Sequence, residues 1–445
     1  MKILFIQPCP QLKGINGPPL PSFERLIIKI GMLIPRLSFP ILAAITPEQH
    51  SVKMIDERYE NIDFNCQYDL VGITAMINEI SRAYELADEL RRRGTKVVLG
   101  GPQVSALPTE AKEHADSVVI GEAEEIWPQL LHDLENGELK PFYQQLHPTN
   151  AQKIPSPKMS IISHYFIEGG VQTTRGCPNR CKFCYIGNSP EGRVFRKRPI
   201  EQVVQEVKNS RQKIIIFYDT SLTIDPRHTK SLFKALRGLN KNFICQGNVD
   251  VLRQDDELLS LSKEAGCIQW NIGFESVSPQ SLEDANKRTN MVEGYHQAIE
   301  KIHNHKMNVH GYFIFGFDHD TKDIFDKTWD FIQQSKIDSA HFSILTPLPS
   351  TPLFEELQKQ NRLLTTDWHQ YGFHRTVVFK TKNISETDLL EGYKKLYQKY
   401  YSWHAIVNRF FNLIQRGISV SKIINFSIEN IFTRPFYLKY MYEER

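Results

Sequence analysis

The residues with the most chemical reach lie within a single run of eight, CPNRCKFC, where Cys177, Cys181 and Cys184 are separated by three and then two residues. Three thiolates in one short loop can hold three irons of a [4Fe-4S] cluster, which ordinarily takes four cysteine ligands. The fourth iron then stays open to the amino and carboxylate groups of a small molecule. The same residues could also form a zinc knuckle or be three structural thiols. Zinc sites usually assemble two ligand pairs, and no second Cys or His pair of matching spacing occurs in the chain. The other cysteines, Cys9, Cys66, Cys245 and Cys267, are scattered and read as small buried hydrophobes.

The elements that must position this loop belong to an ordinary folded protein. Among 445 residues, 54 are basic and 51 acidic, a formal balance of +3 that gives no nucleic-acid-binding tail. With 41% hydrophobic and 24% charged residues, disorder, collagen and a disulfide miniprotein are excluded. The opening MKILFIQPCP reads as a strand, without the basic, apolar and small-residue regions of a signal peptide, so a cytoplasmic location is expected. Lys29 and Arg36 interrupt the longest apolar stretch, and no transmembrane helix is expected.

Residues 1–140 alternate short β-branched runs (KILFIQP, SVKMIDE, DLVGITAM, KVVLGG, SVVIGEAEE) with helical patterns. Between two of these runs, Ile80, Ala83, Tyr84 and Ala87 share one face at helical spacing, and Gly94 stops the helix. Five such strands fit an α/β, doubly wound, flavodoxin-like domain, whose ligands bind beyond the carboxyl ends of the strands. Residues 141–164, rich in proline, read as a linker. From about 165 to 370 six further strands alternate with helices (VQTTRG, KIIIFYDTS, NFICQGNV, CIQWNIGFES, NVHGYFIFGF, AHFSILTPL), which describes a partial (β/α)6 barrel. Residues 371–445 read as a helical extension.

Cys-x3-Cys-x2-Cys directly after the first barrel strand resembles the radical SAM superfamily, and the resemblance runs through about residues 165–370. It implies that the open iron chelates the methionine end of S-adenosylmethionine, and that one-electron reduction yields a 5′-deoxyadenosyl radical able to abstract hydrogen from unactivated carbon. By the same resemblance Phe183 lies against the adenine. Asp219 and Ser221, in IIIFYDTSLTI, approach the methionine amino group, although many relatives have a pair of acids where this chain has Asp-Thr-Ser. Glu275, in CIQWNIGFES, serves the ribose or methionine side, and GYFIFGFDHDT and LTPLPSTPLFEEL border adenine.

The flavodoxin-like module placed before the barrel resembles the cobalamin-binding subclass of that superfamily. The resemblance implies a corrin held between the domains, its nucleotide tail entering at Thr74, Gly100, Gly101 and Gly121, where missing side chains allow close backbone approach. Glu122 would accept from the tail or the corrin amides. Many cobalamin proteins supply an axial histidine from an Asp-x-His-x-x-Gly loop after the first strand. Here that loop, PCPQLKGINGPP, has none, so the lower face is expected to be open or to carry another group. The literal match at Asp367, His369 and Gly372 lies after the barrel and reads as coincidence.

Residues 394–445 hold nine Lys or Arg against three Glu, +6, interleaved with aromatics. This composition suits either a cap on the barrel mouth or a surface for peripheral contact with an anionic membrane or an apolar, anionic substrate. Tyr393, Tyr397, Tyr400 and Tyr401 recur at helical spacing and read as a core stripe. His303, His305 and His310 lack metal-ligand spacing and receive no role. The expected activity is C-methylation of an unactivated carbon in a small-molecule or lipid-like substrate, with a flavodoxin or ferredoxin as reductant. Radical cyclisation, oxidation or rearrangement without methyl transfer, and a non-catalytic iron-sulfur protein, are the alternatives. Cys181→Ala is expected to abolish both the intact cluster and formation of 5′-deoxyadenosine; normal cleavage of the cofactor by that variant would refute the ligand set.

Overall fold

Six parallel strands build the N-terminal sheet: β1 (Lys2–Gln7), β2 (Ser51–Asp56), β3 (Leu70–Thr74), β4 (Lys96–Gly100), β5 (Ser117–Ile120) and β6 (Phe142–Gln144). The computed structural model describes residues 1–9, 36–162, 168–372, 376–418 and Arg434. The strand order is β2-β1-β3-β4-β5-β6, whose first five are the flavodoxin order. Alternation along β1 shows how such a sheet is buried on both sides. Leu4 and Ile6 pack with Val71, Ile73 and Leu99 on one face, while Ile3 and Phe5 pack with Phe39, Trp127 and Leu130 on the other. The helix Ile80–Arg92 covers the first face with Ile80, Ala83, Leu86, Ala87 and Leu90, and the left-handed Gly94 (φ 87°) follows its end. The sixth strand lies in the segment that the sequence reads as linker: Val118, Val119 and Ile120 pair with Phe142, Tyr143 and Gln144.

The second sheet contains β7 (Glu168–Val171), β10 (Ile214–Phe217), β11 (Asn242–Gly247), β12 (Cys267–Glu275), β13 (Asn308–Phe315) and β14 (Ser339–Ile344), all parallel and in chain order. One face carries large apolar residues, Phe217, Phe243, Trp270, Phe274, Phe313 and Phe342 among them, into the core formed with the surrounding helices. The other face is polar, with Gln246, Gln269, Asn271, His310, Tyr312 and His341. An open barrel of six strands therefore has a hydrogen-bonding interior where a closed eight-stranded barrel would be filled with branched side chains.

The first barrel strand begins earlier than the run VQTTRG. Beyond Val171 the chain leaves the sheet, and Thr174–Arg175 (β8) pairs antiparallel with Arg196–Lys197 (β9). After the barrel, the helix Glu386–Tyr400 lies along β14. Tyr400 Oη accepts from Ala340 N (2.8 Å), and the Tyr393 and Tyr397 hydroxyls each donate to the Phe342 carbonyl (3.0 Å). The tyrosine stripe is core, as its spacing suggested. No helix among the described residues is long and apolar enough to cross a membrane. The loop after β1 from Pro10 onward, Tyr165, and the run FTRPFYLKYMY apart from Arg434 lie outside the described residues.

Candidate active site

The cysteine loop is launched from β8 and folded on itself by its own backbone. Cys177 N donates to the Gly192 carbonyl (2.7 Å), Cys184 N to that of Cys181 (3.0 Å), and Asn188 Nδ2 to the carbonyls of Cys181 (2.9 Å) and Cys184 (2.7 Å). Glycine is required where the loop packs most tightly. A Cβ at Gly187 would lie 1.9 Å from the Asn179 carbonyl oxygen, and one at Gly176, where φ is 84°, 2.2 Å from that of Val194. Neither glycine nor Asn188 is marked by the cysteine spacing. The three thiols act on one another electrostatically; burial pushes Cys177 up and Cys181 up to about 11, and the nearby Lys287 ammonium opposes both shifts. A loop presenting three thiols, one buried and two half-buried, beside one cation fits an iron-sulfur cluster with three protein ligands.

Asp219 is held by the residues that lead into this loop. It is buried at the end of β10 and accepts from Thr173 N (3.1 Å), Thr173 Oγ1 (2.7 Å), Thr174 N and Thr174 Oγ1 (both 2.5 Å). Burial raises its carboxyl above the usual range, and these donors pull against that rise. Asp219 is thus the bracket that bends the chain from β7 into β8. Ser221 is likewise turned inward, to Thr223 Oγ1 (2.8 Å). Three of the four bonds to Asp219 fall on Oδ1 and one on Oδ2, so most of the carboxylate's capacity to accept is taken up within the protein.

Glu275 stands on a strained turn of backbone. Its φ is 62°, and the pairing of β12 with β13 shifts register between Gly273 and Glu275. Asn290 Nδ2 holds the Gly273 (2.8 Å) and Phe274 (2.9 Å) carbonyls, and Tyr295 Oη also donates to Phe274 (2.9 Å). The bulge aims the Glu275 carboxylate at Lys287 Nζ, 2.8 Å away. Phe183 packs edge-on against Phe317, ring centroids 6.1 Å apart, at the carboxyl end of β13.

A cavity of about 730 Å³ joins the two domains. Thr74, Gly100, Gly101, Gly121 and Glu122 line it from the N-terminal sheet, and Arg175, Gly176, Tyr185, Gly192 and Tyr218 from the barrel. Of the residues assigned to the nucleotide tail, Gly100 and Gly121 keep an open wall, whereas a Cβ at Gly101 would lie 2.7 Å from Thr74 Oγ1. A Cβ at Gly100 or Gly121 would meet nothing nearer than 3.7 and 3.9 Å, so these positions leave room for a ligand at the strand ends. Glu122 is engaged otherwise: it accepts from Arg196 Nη1 (2.7 Å) and Nη2 (2.9 Å), Arg175 Nη1 (3.2 Å) and Thr149 N (2.6 Å). Burial alone would raise its carboxyl, but the two guanidiniums hold it below the usual range. Among the described residues no histidine lines the cavity, and His369, whose amide is held by Asp367 Oδ1 (3.1 Å), is exposed elsewhere. The room at Gly100 and Gly121 and the contribution of both domains fit a corrinoid at this site.

Residues 171–332 match the radical SAM superfamily, residues 25–131 the B12 binding domain, and residues 351–424 a domain of unknown function, DUF4070. The chain is 30% identical over 403 residues to a bacteriochlorophyllide d C-12(1)-methyltransferase of Chlorobaculum tepidum, covering 87% of each protein. It is also 30% identical over 396 residues to the bacteriochlorophyllide d C-8(2)-methyltransferase of that organism, covering 84% of this chain and 87% of the relative. Among solved structures, the cobalamin-dependent S-adenosylmethionine radical enzyme OxsB with aqua-cobalamin bound superimposes with a TM-score of 0.65 at 15% identity, over 99% of this chain and 72% of that one. The chain belongs to the radical SAM superfamily, in the subclass that carries a cobalamin-binding domain. It is an enzyme whose cofactors are a [4Fe-4S] cluster, S-adenosylmethionine and cobalamin.

The tight seat of Gly187 gives a test of the loop geometry. Gly187→Ala must push the Asn179 backbone aside, so bound iron and sulfide per chain are expected to fall while far-UV circular dichroism stays that of the parent. Full iron content in the variant would contradict the geometry.

Proposed function

We propose that this enzyme methylates an unactivated carbon of an apolar, polycyclic small-molecule or lipid-like substrate. The observation that carries the reading is the single cavity into which the strand ends of the N-terminal sheet and the flanks of the cysteine loop both open. When bound, the cluster with S-adenosylmethionine supplies a hydrogen-abstracting carbon radical, and cobalamin a transferable methyl group. The chain's own part is to hold these groups over one space and keep that space dry. Cys177, Cys181 and Cys184 would hold the cluster, Glu275 and Phe183 would meet the methionine and adenine ends, and Gly100, Gly101 and Gly121 would border the corrinoid tail. Asp219 would position the loop from behind through Thr173 and Thr174.

The substrate class follows from the walls. Phe5, Leu37, Phe39, Ile41, Tyr185 and Tyr218 give the cavity a mainly apolar lining. The barrel interior is neutral at its histidines: burial pushes His310 down to about 3 and His341 to about 4, so both stay uncharged at physiological pH. An apolar ring system with peripheral hydrogen-bonding groups suits both surfaces, and the two bacteriochlorophyllide methyltransferases among the relatives act on substrates of that kind by their names. A cytoplasmic flavodoxin or ferredoxin would serve as the one-electron donor.

An apolar substrate is drawn from a membrane surface, and one element suits contact with it. The helix Trp403–Gln415 leaves Trp403, Val407, Phe411 and Ile414 exposed at helical spacing, in the part of the chain with the +6 balance.

Incubation with S-(trideuteromethyl)adenosylmethionine and a panel of chlorin and polycyclic lipid substrates is expected to give a product heavier by the labelled methyl, together with 5′-deoxyadenosine. Deoxyadenosine with a rearranged, unlabelled product would replace methyl transfer by radical isomerisation. For the surface helix, Phe411→Asp is expected to abolish co-sedimentation with vesicles containing anionic phospholipid; equal sedimentation of variant and parent would remove the membrane from this reading.

A further inference from the structure

One buried cation beside the cysteine loop has no task in the account above. Lys287 follows a turn that is stitched to the loop: the Ala285 carbonyl accepts from Lys182 N (2.9 Å), and Asn286 Nδ2 donates to the Arg180 carbonyl (2.7 Å). Arg180 and Lys182 flank Cys181, so the segment carrying Lys287 is fastened on both sides of the middle cysteine. The Lys287 side chain is only 14% exposed and donates to Glu275 Oε1 at 2.8 Å. Its charge favours the thiolate forms of Cys177 and Cys181. Lys182, the nearest comparable cation in sequence, is turned outward to Glu356 (3.0 Å).

Room for the pair is built into β12. A Cβ at Gly273 would sit 2.3 Å from Glu275 Oε1 and 3.3 Å from Lys287 Nζ. The left-handed backbone at Glu275 and the register shift before it turn the carboxylate toward the same ammonium. A buried Lys–Glu pair is a costly thing to place beside three thiols, because both charges lose water. Its position makes electrostatic sense once the charge of the bound group is counted. An oxidised [4Fe-4S] core with three thiolates is a net anion, and adding one electron deepens that charge in a pocket of low dielectric; net charge and nearby dipoles are among the quantities that set cluster potentials.

We propose that Lys287 is the counter-charge of the cluster and that, balanced against Glu275, it sets how readily the cluster takes up its electron from a low-potential one-electron donor. The inference rests on the cluster assignment made above. Lys287 favours the reduced cluster; Glu275 opposes it and keeps the ammonium from collapsing onto a single thiolate. The two residues therefore act with opposite sign on one equilibrium.

The test is a potentiometric titration of the anaerobically reconstituted full-length protein without S-adenosylmethionine, with dithionite and low-potential mediators, read by the EPR signal of the reduced cluster. At a fixed poise, Lys287→Met is expected to lower the reduced-to-oxidised ratio about tenfold, which is 59 mV for a one-electron couple. Lys287→Arg, which keeps the charge, should stay at the parent midpoint, and Glu275→Gln should move the ratio in the opposite direction. A parent-like midpoint in Lys287→Met overturns the proposal. So does a Glu275→Gln shift of the same sign as that of Lys287→Met, since simple loosening of the loop would move both alike. EPR counts only molecules that hold a cluster, so partial loss of iron leaves the reading intact, and if Lys287→Met takes up no iron the sign of Glu275→Gln decides. A parent protein with no [4Fe-4S] signal at all would defeat the cluster assignment instead.

Discussion

The active site depends on a partly buried group of charges where the two domains meet. Glu122 and Glu124, from the loop after β5, hold Arg175 and Arg196, from the ladder that launches the cysteine loop; Arg175 Nη2 lies 2.5 Å from Glu124 Oε1. Each of these side chains is only 12–14% exposed. Such pairs add little net stability, because desolvation offsets much of their attraction, yet removing one partner typically costs about 3–5 kcal/mol by leaving a charge uncompensated. Their value here is geometric. Arg175 is two residues from Cys177, so the loop that borders the corrinoid side of the cavity also sets the direction in which the cluster loop departs. Trp368 Nε1, donating to Glu110 Oε1 (2.8 Å), pins the far side of the same interface.

The acidic residues near the cofactors follow one pattern. Asp219, Glu122 and Glu275 all lie where ligands are expected, and each is first satisfied by the protein: threonines for Asp219, arginines for Glu122, a lysine for Glu275. A carboxylate in a dry site must be paired or protonated before any ligand arrives. The pairing fixes loops in place, so the site is organised by its anions even where they do not themselves touch a cofactor.

This pattern also explains how much the sequence alone could reveal. The parallel strands were legible because their apolar runs are short, β-branched and separated by helices with a clear face. The three cysteines were legible because their spacing is local. The partners of Asp219 were not legible, since the threonines that hold it lie 45 and 46 residues earlier, beyond any local pattern. Lys287, Asn188 and the glycines of the loop were passed over for a related reason. Their signal is a contact distance, and at the level of sequence a lysine after an asparagine is only a solvated turn. The strand β6 and the early start of the barrel at Glu168 were missed because each is only three or four residues long, one beside prolines and the other with two glycines, so pairing rather than pattern makes them strands.

The tyrosine helix along β14 has a consequence for how the molecule keeps to itself. A sheet that stops at six strands ends in raw edges, where amides and carbonyls have no neighbour and can recruit a strand from another chain. At β14, Ala340 N and both polar groups of Phe342 are answered by phenol hydroxyls, Phe342 N by Tyr397 Oη at 3.3 Å. Side chains on a helix thus stand in for a missing strand without supplying a backbone that could be extended. The barrel gains an end to its sheet while its interior stays open.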